Sequence, residues 1–302
     1  MIDPACGSGN FLTETYICLR KLENEAIRLQ IDLQHKVSSG QIVMGFDDSI
    51  KVSIKQFYGI EINDFAVTVA KTALWISESQ MMKETELIIN RQLEFFPLKS
   101  YANIIEGNAL RIDWNEVIPR ENINYIMGNP PFLGGMMMSK EQKEDILNVI
   151  GNINGVGEFD FVSGWYYKSS DYIRNTKIEV AFVSTNSICQ GQQAITMWKP
   201  LINKGIKIQF AYKTFIWDSE AKQKAKVHCV IVGFSYNDRN EKLIFDNDRV
   251  CIVSNINSYL MNNDNIFIES KSKPICDIPL IKFGSSQEMV VDLFFQMKKD
   301  WN

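Results

Sequence analysis

The chain has 302 residues, of which 45% are hydrophobic and 23% charged, so it can bury a substantial core and does not have the composition of a disordered segment. Its formal net charge of −4 argues against nucleic-acid binding over the whole surface but leaves room for a local basic face. No apolar run approaches the roughly 18 residues of a membrane span, and no secretory leader opens the chain, which reads as cytosolic.

The first element is cut short. "MID" leaves one or two residues of a strand before "DPACGSGNF" (Asp3 to Phe11), which reads as part of something longer or as missing an upstream element. Gly7 and Gly9 stand between that strand end and a helix expected over 10–30, where backbone must approach a ligand without a Cβ in the way. A dehydrogenase fingerprint would need a third glycine three residues on, and Leu12 stands there.

The next strand, "FYGIEI" (57–62), ends on Glu61 and is followed by a helix over 64–82 with Asp64 as its N-cap. A carboxylate at a strand end accepts hydrogens only, and suits the paired hydroxyls of a ribose. The third strand, "YANII" (101–105), leads into "EGNAL", where the Asn108 amide offers both donor and acceptor to an adenine edge.

The fourth strand, "INYIMG" (123–128), stops on Asn129-Pro130-Pro131-Phe132. Two prolines remove two donors and fix two φ angles, so Asn129 and Phe132 are carried on a stiff loop. Helices over 139–149, with Ser139 as N-cap, and over 159–175 follow, then strands over 178–184, 206–212 and 226–234. Seven lysines between Lys199 and Lys226 form the most basic window of the chain.

The Asn- and Asp-rich stretch from 236 to about 277 reads as irregular, with one helix after it around Gln287 to Met297. Six scattered cysteines without a CxxC pair, and only two histidines, do not make a zinc site and read as reduced thiols. Alternating strands and helices imply a doubly wound, mostly parallel α/β sheet, and such sheets bind ligands outside the carboxyl ends of their strands. Four of those ends carry the loops just described.

On these residues the chain resembles the class I S-adenosylmethionine-dependent DNA amino-methyltransferases, adenine-specific branch, over residues 1–235. A closer likeness, carried by 56–82, "VSTNSICQGQQ" and "KPICDIPLIKFG", is to the methyltransferase part of single-chain type II restriction-modification enzymes. The resemblance implies a Rossmann-like sheet of seven strands and S-adenosyl-L-methionine as cofactor, held by Asp3, Pro4, Ala5, Cys6, Gly7, Gly9, Asn10, Glu61, Ile62, Asn108 and Ala109. It implies catalysis by Asn129, Pro130, Pro131 and Phe132 on an adenine flipped out of double-stranded DNA, with Phe132 stacking on one face of the base and Phe215, in preference to Trp217, on the other. It further implies that 236–302 leads toward a target-recognition domain, and that this domain and a nuclease belong to the same parent chain. Similar loops also serve methylation of protein glutamine or RNA guanine, and a cofactor-binding fragment without catalysis is a further alternative.

Overall fold

β1 (Ile2–Asp3) is two residues long and wholly buried, the length that the short first run implies. It is flanked on one side by β2 (Tyr58–Glu61), with β3 (Asn103–Glu106) beyond, and on the other by β4 (Tyr125–Gly128) and β5 (Glu179–Thr185), all parallel. Beyond β5 the direction reverses. β6 (Lys207–Trp217) and β7 (Val227–Ser235) pair antiparallel, and β7 inserts between β5 and β6. The computed structural model describes residues 1–37, 50–93, 103–217 and 227–267, all in one unit, Met1–Phe267.

Two further strands, β8 (Lys242–Asp246) and β9 (Arg249–Val253), extend the sheet past β6, giving the order β3-β2-β1-β4-β5-β7-β6-β8-β9. Among the described residues, nine strands therefore replace the expected seven, and 242–253 is a hairpin rather than irregular chain. Its turn is the two residues Asn247 and Asp248, with Asn247 at φ 50°, the left-handed conformation that two-residue hairpin loops require and asparagine tolerates. Asn and Asp abundance there marks a turn between two short strands.

The helices are α1 (Asn10–Val37), α2 (Asp64–Ile89), α3 (Trp114–Val117), α4 (Lys140–Ile150), α5 (Ser163–Tyr172) and α6 (Gly191–Asn203). α1 and α2 pack over a smaller cluster that includes Leu12, Tyr16, Phe57 and Leu74, whereas α5 and α6 cover a larger one around Trp165, Tyr166, Phe182, Trp198 and Phe234. α4 contributes Ile146 and Ile150 to the larger cluster. No helix among the described residues is long and apolar enough to cross a membrane.

Ser139 caps α4 as expected, in a reciprocal arrangement with Gln142. The cap of α2 is Asn63, not Asp64: its side-chain oxygen accepts from the Ala66 amide at 3.0 Å, and Asp64 is the first helical residue. The helix expected over 159–175 is shorter, because Asp160 accepts hydrogens from neighbouring backbone before α5 begins. α6 was hidden by Gly191 at its start and Pro200 within it, both unfavourable to helix on sequence grounds. The helix expected around Gln287 to Met297, the "KPICDIPLIKFG" stretch and Lys222, Lys224 and Lys226 lie outside the described residues.

Candidate active site

The loop after β1 is built from beneath. Asp3 is buried, and its Oδ1 accepts from the Ala5 amide at 3.0 Å, turning the chain at Pro4. Trp165 on α5 donates its indole hydrogen to the Pro4 carbonyl at 3.0 Å. The Cys6 amide donates to the Ile60 carbonyl at 3.1 Å, joining the loop to β2, and burial pushes the Cys6 thiol far up, which suits a packing role. Gly7 and Gly9 take φ of +52° and +87°. At Gly9 a Cβ would stand 2.9 Å from that of Ala70, so glycine is what lets α1 start against α2. Asn10 opens α1 and is exposed.

Glu61 ties the first loop to the second strand end. Its Oε2 accepts from the Gly7 amide at 2.9 Å and its Oε1 from the Asn63 amide at 3.0 Å, leaving each oxygen further acceptor capacity. Ile62, beside it, is 68% exposed. Burial, with Glu61 nearby, pushes the Asp3 carboxyl from an ordinary 3.8 to about 7.

The Asn108 amide is engaged at both ends: Oδ1 accepts from Leu110 N at 2.9 Å and Nδ2 donates to Asp145 Oδ2 at 2.9 Å. Asp145, buried on α4, also accepts from Arg111 Nε at 2.7 Å. The orientation of Asn108 is thus set from within the chain, while its oxygen keeps a spare lone pair and its NH2 a second hydrogen. Ala109 is buried behind it.

Beyond β4, Asn129 is half-buried, Pro130 buried, Pro131 exposed and Phe132 half-buried against the larger core. At Gly128 a Cβ would stand 2.3 Å from Asp3 Oδ1, so the strand ahead of this loop lies directly on the carboxylate of the first one. A cleft of about 700 Å³ joins the four strand ends: Pro4, Ala5, Glu61, Ile62, Asn108, Ala109, Asn129 and Pro131 line it. Asp3, Cys6 and Gly9 support it from outside, and Phe132 packs behind.

Phe215 lies on β6, edge-on to Tyr212 with centroids 5.6 Å apart, and does not line this cleft. Three of the basic-window lysines are paired with carboxylates, Lys204 with Asp171, Lys207 with Asp238 and Lys213 with Asp246. In its described part, this basic window is largely a set of surface ion pairs.

Sequence reasoning missed Arg111, Asp145, Phe161 and Trp165, which also line the cleft. It also missed Asp160, buried between Phe159 and Phe161. The available signal was the charge inside "FDF", since an acid between two core aromatics needs partners. The tryptophan carried no such signal, because an aromatic on a buried helix is ordinarily core.

Comparison with known proteins gives a concordant result. The sequence model of the family described as "MmeI, DNA-methyltransferase domain" matches residues 1–246. "DNA methyltransferase A" of Bacillus subtilis (strain 168) is 42% identical over 287 residues, which is 94% of this chain and 32% of that protein. Among solved structures, the type IIL restriction-modification enzyme MmeI in complex with DNA superposes with a TM-score of 0.85 at 37% identity, over 98% of this chain and 41% of that one. The type IIG restriction endonuclease BpuSI, 14% identical with a TM-score of 0.51, shares the fold over 81% of this chain and 23% of its own. The chain thus spans about a third of its curated relative.

Proposed function

Because the chain belongs to the family of the MmeI DNA-methyltransferase domain, we propose that it transfers a methyl group from S-adenosylmethionine to the exocyclic amino group of an adenine flipped out of double-stranded DNA. In this reading it is the methyltransferase part of a longer restriction-modification enzyme that also carries a nuclease and a target-recognition domain. The observation that carries the proposal is the shared cleft: Asn129 and Pro131 face the same space as Pro4 and Ala5 of the first loop and Glu61.

The residues present fit the cofactor. The cleft's volume is in the range of cofactor sites. Glu61 keeps acceptor capacity on both oxygens, fixed in place by two amides and ready for vicinal hydroxyls. Asn108 presents its oxygen and Ile62 an exposed apolar surface to a purine. When bound, the cofactor supplies an electrophilic methyl group on a sulfonium sulfur.

An amino group conjugated to a purine ring is a poor nucleophile because its lone pair is delocalised. Asn129 Oδ1 and the Pro130 carbonyl are two acceptors on a loop whose φ angles are set by proline; each takes one amino hydrogen, which localises the lone pair on nitrogen. Asn129 is neutral and half-buried, so no charge is desolvated to do this. Phe132 supplies a face on which the extruded base stacks, a contact worth about 1–3 kcal/mol.

The test is transfer of labelled methyl from the cofactor into unmethylated DNA, with digestion to nucleosides. Label in N6-methyladenine is expected. Label in protein or RNA, with DNA unlabelled, would replace this reading by glutamine or guanine methylation.

A further inference from the structure

The stiffness of the Asn129 to Phe132 loop comes from its prolines, but prolines do not say where the loop stands. Its upstream end is fixed by β4, paired on both sides. Its downstream end is held by a different part of the chain. The Leu133 amide donates to Asp160 Oδ1 at 3.0 Å, and the Leu133 carbonyl accepts from the Phe161 amide at 2.8 Å. Two residues on, a Cβ at Gly135 would lie 2.3 Å from the Gly157 carbonyl oxygen, so the segment 133–135 rests directly on 157–161.

Asp160 is only 5% exposed, and both of its oxygens are used. Oδ1 also accepts from the Val162 amide at 3.2 Å, while Oδ2 accepts from the Thr185 hydroxyl at 3.0 Å, at the last residue of β5. Thr185 in turn meets the Ser187 hydroxyl at 2.8 Å, inside the "VSTNSICQGQQ" stretch to which the proposed chemistry gives no role. One buried carboxylate therefore touches the end of the Asn129 loop, the entry to α5 and the tip of β5.

We propose that Asp160 is the positioning residue of the reaction: together with Thr185 it fixes the height of the Asn129 loop against β5, and so the aim of the Asn129 and Pro130 oxygens. This rests on the methyltransferase reading above. Asp160 acts through Leu133 and touches no reacting atom. A shift of about 1 Å in such an acceptor pair is enough to cost about 100-fold in rate.

The substitutions Asp160→Ala, Asp160→Asn and Thr185→Val separate positioning from mere folding. In Asp160→Asn the amide oxygen still accepts from Leu133 and Val162, and the Thr185 hydroxyl can accept from the new NH2. We expect Asp160→Ala to lower kcat by about 10- to 100-fold, with cofactor Kd by calorimetry within about twofold of wild type, since the glycine loop and Glu61 are untouched. Amide exchange of the 129–135 peptide rises by about tenfold or more in Asp160→Ala and returns toward wild type in Asp160→Asn, as does kcat. Thr185→Val gives a smaller fall in kcat that adds nothing to that of Asp160→Ala.

Unchanged exchange and kcat in Asp160→Ala would overturn the inference, as would parallel loss of cofactor affinity. If Asp160→Ala does not fold, Asp160→Asn and Thr185→Val decide: equal and complete inactivity of Asp160→Asn overturns it. Exchange as expected in a wild-type chain that labels no DNA would sink the methyltransferase reading while leaving the loop anchor intact.

Discussion

In the proposed reaction Asn129 and Pro130 supply acceptors and nothing else, which makes their contribution separable. Asn129→Ala removes one acceptor while leaving the cofactor side of the cleft as it is. Methyl transfer should fall by at least about 100-fold, with cofactor affinity unchanged within about twofold, measured by single-turnover labelling and calorimetry. Asp3 gives a second residue-scale expectation. Its folded-state carboxyl, raised to about 7 by burial and by Glu61, binds a proton that the unfolded chain releases near 4. Stability from this group is therefore full below the unfolded value and is lost as pH rises through about 7, with a slope of about 1.4 kcal/mol per pH unit between the two. Asp3→Asn should flatten that portion of the stability profile in denaturant titrations at pH 4 to 7; an unaltered slope would assign it elsewhere.

Among the elements, α4 forms one wall of the cleft through Asp145 and is started by the Ser139 and Gln142 cap. Ser139→Ala should cost about 1 kcal/mol, read as a lower melting temperature. The loops of the site were legible in the sequence because each breaks an apolar run with residues that no ordinary strand end needs, two glycines, an acid, an asparagine, two prolines. The supports of those loops were not. Asp145 and Arg111 meet across 34 positions, and Asp160 reaches Thr185 across 25, pairings that only the packed helices decide. The same holds for the β8–β9 hairpin, whose Asn247 turn resembles any polar loop until a sheet edge is there to receive its strands. α6 failed on propensity: tertiary packing of Ala194, Met197, Trp198 and Leu201 outweighs Gly191 and Pro200.

At the scale of the molecule, the cleft is bounded by β1, β2, β3 and β4 together with α4 and α5, so a ligand there touches most of the parallel half of the sheet. Cofactor at about 100 times its Kd should stabilise the fold by about 2.7 kcal/mol, if it does not bind the unfolded chain. For a chain of this size that is a rise of several degrees in melting temperature by calorimetry. No shift with S-adenosylmethionine or its demethylated product would remove the cofactor from the proposal. The net charge of −4 and the paired lysines predict weak binding of DNA by this chain alone. In filter binding, the slope of log affinity on log salt should be shallow, corresponding to few phosphates neutralised.

The contact between Gly128 and Asp3 reaches further than packing. The two positions end adjacent strands, β1 and β4, beneath the site, and any side chain at 128 would intrude on the carboxylate. Substitutions at either one are therefore conditional on the other. A library that randomises the Asn129 loop without also varying position 3 will keep recovering glycine at 128, and an evolutionary record of such chains should show the pair changing together or not at all.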